Sequence, residues 1–289
     1  MNQLISSIVN FGRMIKFSHT IFALPFAFTA VVLASRNVPI TLEKIAWILL
    51  AMVGARSAAM GFNRIVDAKI DSVNPRTASR EIPRGIITLF QAWLFVVATS
   101  ALLILSSFML NELCFKLSPV ALAIVFFYSF TKRFTSFAHF FLGIALGVAP
   151  LGAWMAVTGE WNWQIFLLSC GVVTWVAGFD IIYACQDYEF DKKQKLFSVP
   201  KTFGIPVSLW ISRFCHVFAF AILGILGFWF SLSWIYFSGV LMIGLLLFYE
   251  QNLVRADDLS KVNLAFFNMN GVISLIYFIF TATDVFIFG

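Results

Sequence analysis

Nine apolar stretches dominate the pattern of the chain, each about long enough to cross a bilayer as a helix. They lie near 17–35, 45–66, 87–109, 115–130, 136–157, 163–184, 207–230, 232–249 and 263–287. The runs are apolar on every face and do not alternate, which predicts membrane helices and argues against a membrane barrel. Phe17 to Ala34 lacks a convincing small-residue cleavage site and is followed by eight similar runs. It is expected to be a retained helix, not a removable signal. The expected fold class is therefore an all-α integral membrane protein, a bundle of nine transmembrane helices forming one domain over residues 1–289.

Composition agrees with the pattern. Of 289 residues, 61% are hydrophobic and 12% charged, with a mean hydropathy of +0.90. So few charges cannot cover a water-soluble surface, and a soluble enzyme, a disordered chain and a disulfide scaffold are all excluded. Cys114, Cys170, Cys185 and Cys215 show no CxxC spacing and read as small core residues.

The net charge of +6 becomes a membrane argument once its distribution is seen. One set of loops and span ends holds Arg13 and Lys16; Arg64, Lys69, Arg76, Arg80 and Arg84; Lys132 and Arg133; Lys192, Lys193, Lys195, Lys201 and Arg213; Arg255 and Lys261. The opposite set holds Arg36, Lys44 and Lys116. The positive-inside rule then puts the N-terminus and the basic loops in the cytoplasm and the C-terminus outside. A lipid bilayer is the expected environment; neither nucleic acid nor an obligatory protein partner is implied.

Topology does not explain the acids. Asp67, Asp71, Glu81, Asp180, Asp187, Glu189 and Asp191, half of the 14 carboxylates, gather in two segments on the basic side. Asp67 and Asp71 stand four apart, as do Asp187 and Asp191, with 120 residues between the two pairs. This is a sign of two similar halves. On a helix such a pair shares one face, about 6 Å apart along the axis. Like charges so placed need a cation, and hard oxygen ligands suit Mg²⁺ together with phosphate oxygens. Two such faces are expected to clamp a magnesium-bound diphosphate, with surrounding Lys and Arg complementing its oxygens. The bland alternative is interfacial charges neutralising one another.

Arg56 sits seven residues, about 10 Å, deeper in the second run than Asn63. An intramembrane arginine is costly unless it faces a polar cavity or a partner, and a cavity reaching to this depth is the favoured reading. The 35 Phe, nine Trp and six Tyr are mostly lipid-facing or packing residues. Aromatic faces also suit a polyisoprenoid chain and an allylic cation.

Asn63-xxx-Asp67-xxx-Asp71, followed by Asp180-xx-Tyr183-xxx-Asp187-xxx-Asp191, on nine expected spans, resembles the UbiA superfamily of intramembrane prenyltransferases. Supporting pieces are the run Arg76 to Gly85, Tyr128-Ser129-Phe130-Thr131-Lys132-Arg133, and Lys193 with Ser198. The resemblance implies a helical bundle around a central cavity opening toward the cytoplasm, in the plasma or inner membrane. It implies that Asn63, Asp67, Asp71, Asp187 and Asp191 form the Mg²⁺ and diphosphate shell, the four aspartates being catalytic. Lys132, Arg133, Asp180, Tyr183 and Lys193 are implied in substrate binding, and Arg56 beside an acidic aromatic acceptor; Arg64 is expected in substrate binding from its own positive charge beside the first motif. This chain departs from many relatives in having Arg64 where they carry Asp, Glu81 for a frequent Pro, and Lys195 where Gly is common.

The reading is transfer of a polyprenyl group from its diphosphate to the ring of a hydroxylated aromatic carboxylate, 4-hydroxybenzoate or a dihydroxynaphthoate, in ubiquinone or menaquinone biosynthesis. The rival is a secondary transporter whose acids bind coupling ions. His19, His139 and His216 show no metal-ligand spacing and are expected to pack or hydrogen-bond in ordinary ways.

Overall fold

The structure, a computed structural model, describes residues 9–16 and 22–288. After a helical turn at 9–14 come α1 (Leu24–Ser35), α2 (Leu42–Val66), α3 (Ala68–Val73), α4 (Leu89–Leu110), α5 (Glu112–Thr131), α6 (Ala138–Thr158) and α7 (Trp163–Ala184). A 3-10 turn over Cys185–Asp187 leads into α8 (Tyr188–Gln194) and α9 (Val199–Phe203). Then follow α10 (Ile205–Trp229), α11 (Trp234–Leu253), a π-helical turn over Leu264–Met269, and α12 (Asn270–Phe288). Among the described residues the only extended pairing is a single bridge between Arg255 and Asp258.

Eight of these segments are long and apolar enough to cross a membrane, where nine were expected. The first expected span contributes only the 12 residues of α1, about 18 Å of helix. Residues 17–21 of that span, His19 among them, lie outside the described residues. The α2 and α7 ends at Val66 and Ala184 coincide with the sequence reading.

The described residues form two compact units, those within 1–20 with 42–130, and those within 21–41 with 131–289. In the first unit α2 packs on α4 through small residues. A Cβ added at Gly54 would stand 2.8 Å from the Leu103 backbone nitrogen, and one at Gly61 would stand 2.9 Å from Val96 Cγ2. Lipid supplies no hydrophobic drive between helices, so close backbone approach at small residues supplies the dispersion contact that holds them. A capping box closes the start of α4: Gln91 N–H donates to Thr88 Oγ1 at 3.2 Å, and Thr88 N–H donates to Gln91 Oε1 at 2.9 Å.

The second unit uses the same device between α6 and α7, where a Cβ at Gly147 would meet the Ser169 carbonyl at 2.9 Å. Gly178 of α7 admits the His216 ring of α10. At one end of α11, Asp284 accepts from the backbone N–H of Ser233 and Tyr236 at 3.0 Å, satisfying orphan donors of the first turn.

Candidate active site

The first acidic motif lies at the junction of α2 and α3. Asp67 takes φ −91° and ψ 0° between the two helices, yet its N–H still donates to the Asn63 carbonyl at 2.9 Å. Asp71 N–H in turn donates to the Asp67 carbonyl at 2.8 Å. The helical register therefore runs through the junction, and Asn63, Asp67 and Asp71 keep the one-turn spacing that the sequence implied. Asn63 Nδ2 donates to Asp67 Oδ2 at 3.1 Å and lies 3.5 Å from Ser129 Oγ. With the amide nitrogen so engaged, the Asn63 oxygen is the atom left for a cation. Asp67 is 2% exposed and Asp71 4%. Arg80 Nη1 meets Asp71 Oδ2 at 2.6 Å, while the Thr77 hydroxyl donates to the Asp71 carbonyl at 3.2 Å.

Two arginines of α2 reach the segment before α1. Arg64 is buried and donates through Nε to the Met14 carbonyl at 3.1 Å. Arg56 donates through Nη2 to the Lys16 carbonyl at 3.4 Å, and its buried Nε has no partner. Lys16 adopts a left-handed backbone, φ 47°. Burial, reinforced by Arg64, Arg80 and Arg76, lowers the Lys16 ammonium from its ordinary 10.5 to about 8. Arg64 thus acts as a strut for the N-terminal segment while carrying its charge near Asp71, Arg80 and Glu81.

In the second unit the other motif spans the α7 end, the 3-10 turn and α8. That turn advances roughly 120° per residue where an α-helix advances about 100°, so it rotates Asp187 relative to Asp180 beyond what the spacing alone implies. Asp187 is half-buried at the N-cap of α8, one turn before the buried Asp191. Ser198 Oγ donates to Asp191 Oδ2 at 2.7 Å. Lys132 and Asp187 are the charged groups that act on Asp191. Asp180 Oδ2 lies 2.7 Å from His139 Nδ1. The Tyr183 ring stacks on Phe266 with centroids 4.2 Å apart. Lys132 and Arg133, half-buried, follow α5, and Lys193 is exposed on α8.

Sequence reasoning missed His139 as a partner of Asp180, because 41 residues separate them. It also missed the Met14 and Lys16 carbonyls as arginine acceptors. Ser198 entered by its motif position alone; its bond to Asp191 belongs to the fold. Among the described residues no three His, Cys, Asp or Glu side chains group closely enough to hold an ion unaided. The donors that do gather within each unit are oxygens, and a magnesium ion characteristically takes one or two carboxylates and completes its shell with phosphate and water oxygens.

The UbiA prenyltransferase family matches residues 23–272. A 4-hydroxybenzoate octaprenyltransferase of Vibrio atlanticus (strain LGP32) is 30% identical over 249 residues, 84% of this chain and 85% of that protein. The apo structure of a UbiA homolog from Aeropyrum pernix K1 is 31% identical with a TM-score of 0.80, covering 93% of this chain and 97% of that one. A UbiA homolog from Archaeoglobus fulgidus bound to GPP and Mg²⁺ shares the fold at 18% identity, TM-score 0.70, over 96% of this chain and 99% of that one.

Proposed function

This chain belongs to the UbiA prenyltransferase family, and from that premise we propose that it transfers a polyprenyl group from its diphosphate to the ring of 4-hydroxybenzoate or a dihydroxynaphthoate, in quinone biosynthesis. The observation that carries the reading is the unbroken helical register of Asn63, Asp67 and Asp71, which sets three oxygen-bearing side chains one turn apart. The 4-hydroxybenzoate octaprenyltransferases among its relatives support the acceptor class.

Asn63, Asp67 and Asp71 in one unit, and Asp187 and Asp191 in the other, are the residues we assign to Mg²⁺ and the diphosphate. When bound, magnesium supplies charge neutralisation to the leaving diphosphate. Lys132, Arg133 and Lys193 donate to the diphosphate oxygens, and Arg64 adds positive charge beside the first motif. As the allylic carbon–oxygen bond breaks, the ring carbon beside the phenol attacks, and loss of the ring proton restores aromaticity. Arg56 holds the acceptor carboxylate, for which its partnerless buried Nε is a ready donor; Asp180 and Tyr183 line the substrate. Catalysis rests on preorganised electrostatics and alignment with water excluded. The whole chain works as one integral membrane domain with its acidic motifs toward the cytoplasm, N-terminus inside and C-terminus outside.

The test is the purified protein in lipid with a ladder of prenyl diphosphates and both acceptors, products read by mass. Magnesium-dependent pyrophosphate release with a prenylated aromatic acid is the expected result. Ion-driven solute uptake into vesicles without pyrophosphate release would establish the transporter instead.

A further inference from the structure

We propose that His139 is a positioning residue for the transfer reaction: its Nδ1–H holds the Asp180 carboxylate, and its own orientation is set by the backbone N–H of Val199. The proposal rests on the functional reading above, in which Asp180 serves the substrate.

His139 is the second residue of α6 and is buried. Both of its ring nitrogens have partners. Val199 N–H lies 3.3 Å from Nε2, and a backbone N–H only donates, so Nε2 carries the lone pair. The ring is then neutral, its hydrogen sits on Nδ1, and that hydrogen is given to Asp180 Oδ2 at 2.7 Å. The tautomer follows from the fold.

Val199 is available for this because it opens α9, where a first-turn N–H has no partner within the helix. Its neighbour Ser198 caps the same helix, accepting from Lys201 N–H at 3.3 Å while donating to Asp191 Oδ2 at 2.7 Å. Phe197 N–H is fixed on the Lys132 carbonyl at 2.8 Å. Three consecutive residues after α8 therefore anchor Lys132, Asp191 and, through His139, Asp180.

The side chain of His139 is 6% exposed and that of Asp180 21%. The carboxylate therefore keeps some exposed surface while the imidazole that holds it is buried. A neutral ring orients Asp180 without cancelling its charge, which a lysine or arginine in that place would do. Partners that orient metal-ligating side chains are worth roughly 10- to 100-fold in activity, and the same scale is expected for a partner that orients Asp180.

A plain helix-to-helix hydrogen bond between α6 and α7 is the competing role, and substitutions separate the two. His139→Asn puts an amide N–H near the place of Nδ1 and gives up Val199. His139→Gln reaches toward Val199 and gives up the direct hold on Asp180. His139→Phe removes both. We expect the Phe and Gln variants to lose roughly 10- to 100-fold in kcat/KM for prenyl transfer, with Asn clearly the better rescue. Thermal unfolding is followed alongside, and if the Phe variant does not fold, Asn against Gln decides.

The chain has three histidines, so ¹⁵N imidazole spectra of the unmutated protein are simple. The His139 signals, assigned by their loss in the Asn variant, should show a neutral ring protonated at Nδ1. Activity indifferent to His139→Phe, Asn no better than Gln, or a ring protonated at Nε2 overturns the role while leaving the proposed reaction standing. Absence of prenyl transfer by the unmutated chain overturns the reaction itself and this role with it.

Discussion

Arg80 Nη1 lies 2.6 Å from Asp71 Oδ2, across nine residues of chain, with the aspartate side chain 6% exposed and the arginine side chain 20%. One carboxylate of the first motif is therefore already ion-paired within its own unit. The pair holds the segment after α3 against the motif, and the same guanidinium is close enough to Lys16 to depress its ammonium.

Removing one partner of so dry a pair leaves an uncompensated charge. Arg80→Gln should destabilise the protein by about 1–3 kcal/mol. Asp71→Asn in the same chain should recover part of that loss, because the orphaned charge is gone. The check is a double-mutant cycle read by denaturant or thermal unfolding in detergent; additive effects would mean that the two side chains do not interact.

Asp67→Asn and Asp191→Asn should each lower turnover by about 100-fold or more, the scale on which groups that stabilise developing charge act, with folding retained. Each change keeps side-chain shape; at Asp191 it also keeps an oxygen for the Ser198 hydroxyl. Turnover measured across a Mg²⁺ titration is the readout. Near-parental rates for both variants at limiting Mg²⁺ would remove these residues from the proposed shell.

Arg56→Leu should raise the apparent constant for the aromatic acid by roughly 10- to 150-fold, the equivalent of about 1.5–3 kcal/mol for a charge-assisted contact. The prenyl diphosphate constant should change little. Arg56→Lys should recover only part of the loss, since an ammonium lacks the planar fork. A defect confined to the prenyl donor would move Arg56 to the diphosphate.

Lys16 gives a pH signature. Its folded value of about 8 lies below the ordinary 10.5, so between these values the unfolded chain binds more protons than the folded one. Stability from this group therefore rises with pH across that window and is flat below it. Lys16→Met should remove this rise. The difference between the unfolding midpoints of the two proteins, taken at intervals from pH 7 to 10.5, isolates the effect; a constant difference would show that Lys16 titrates at its ordinary value.

What the sequence determined by itself follows from local pattern and solvent. Unbroken apolar runs can satisfy their backbone in lipid only as helices, and the α2 and α7 ends were legible because polar residues begin there. The spacing of Asn63, Asp67 and Asp71 translated directly into one-turn intervals, since helical geometry is a function of residue number. The second motif was less legible: the 3-10 turn over Cys185–Asp187 has no signature in the spacing of its aspartates. The tertiary structure alone decided which distant groups meet. Arg64 and Met14 stand 50 residues apart, Asp180 and His139 41, and Val199 and His139 60. Each of these bonds is made by a polar atom that packing has cut off from water. A buried polar atom takes whatever partner the fold brings within reach, and sequence separation carries no record of that choice.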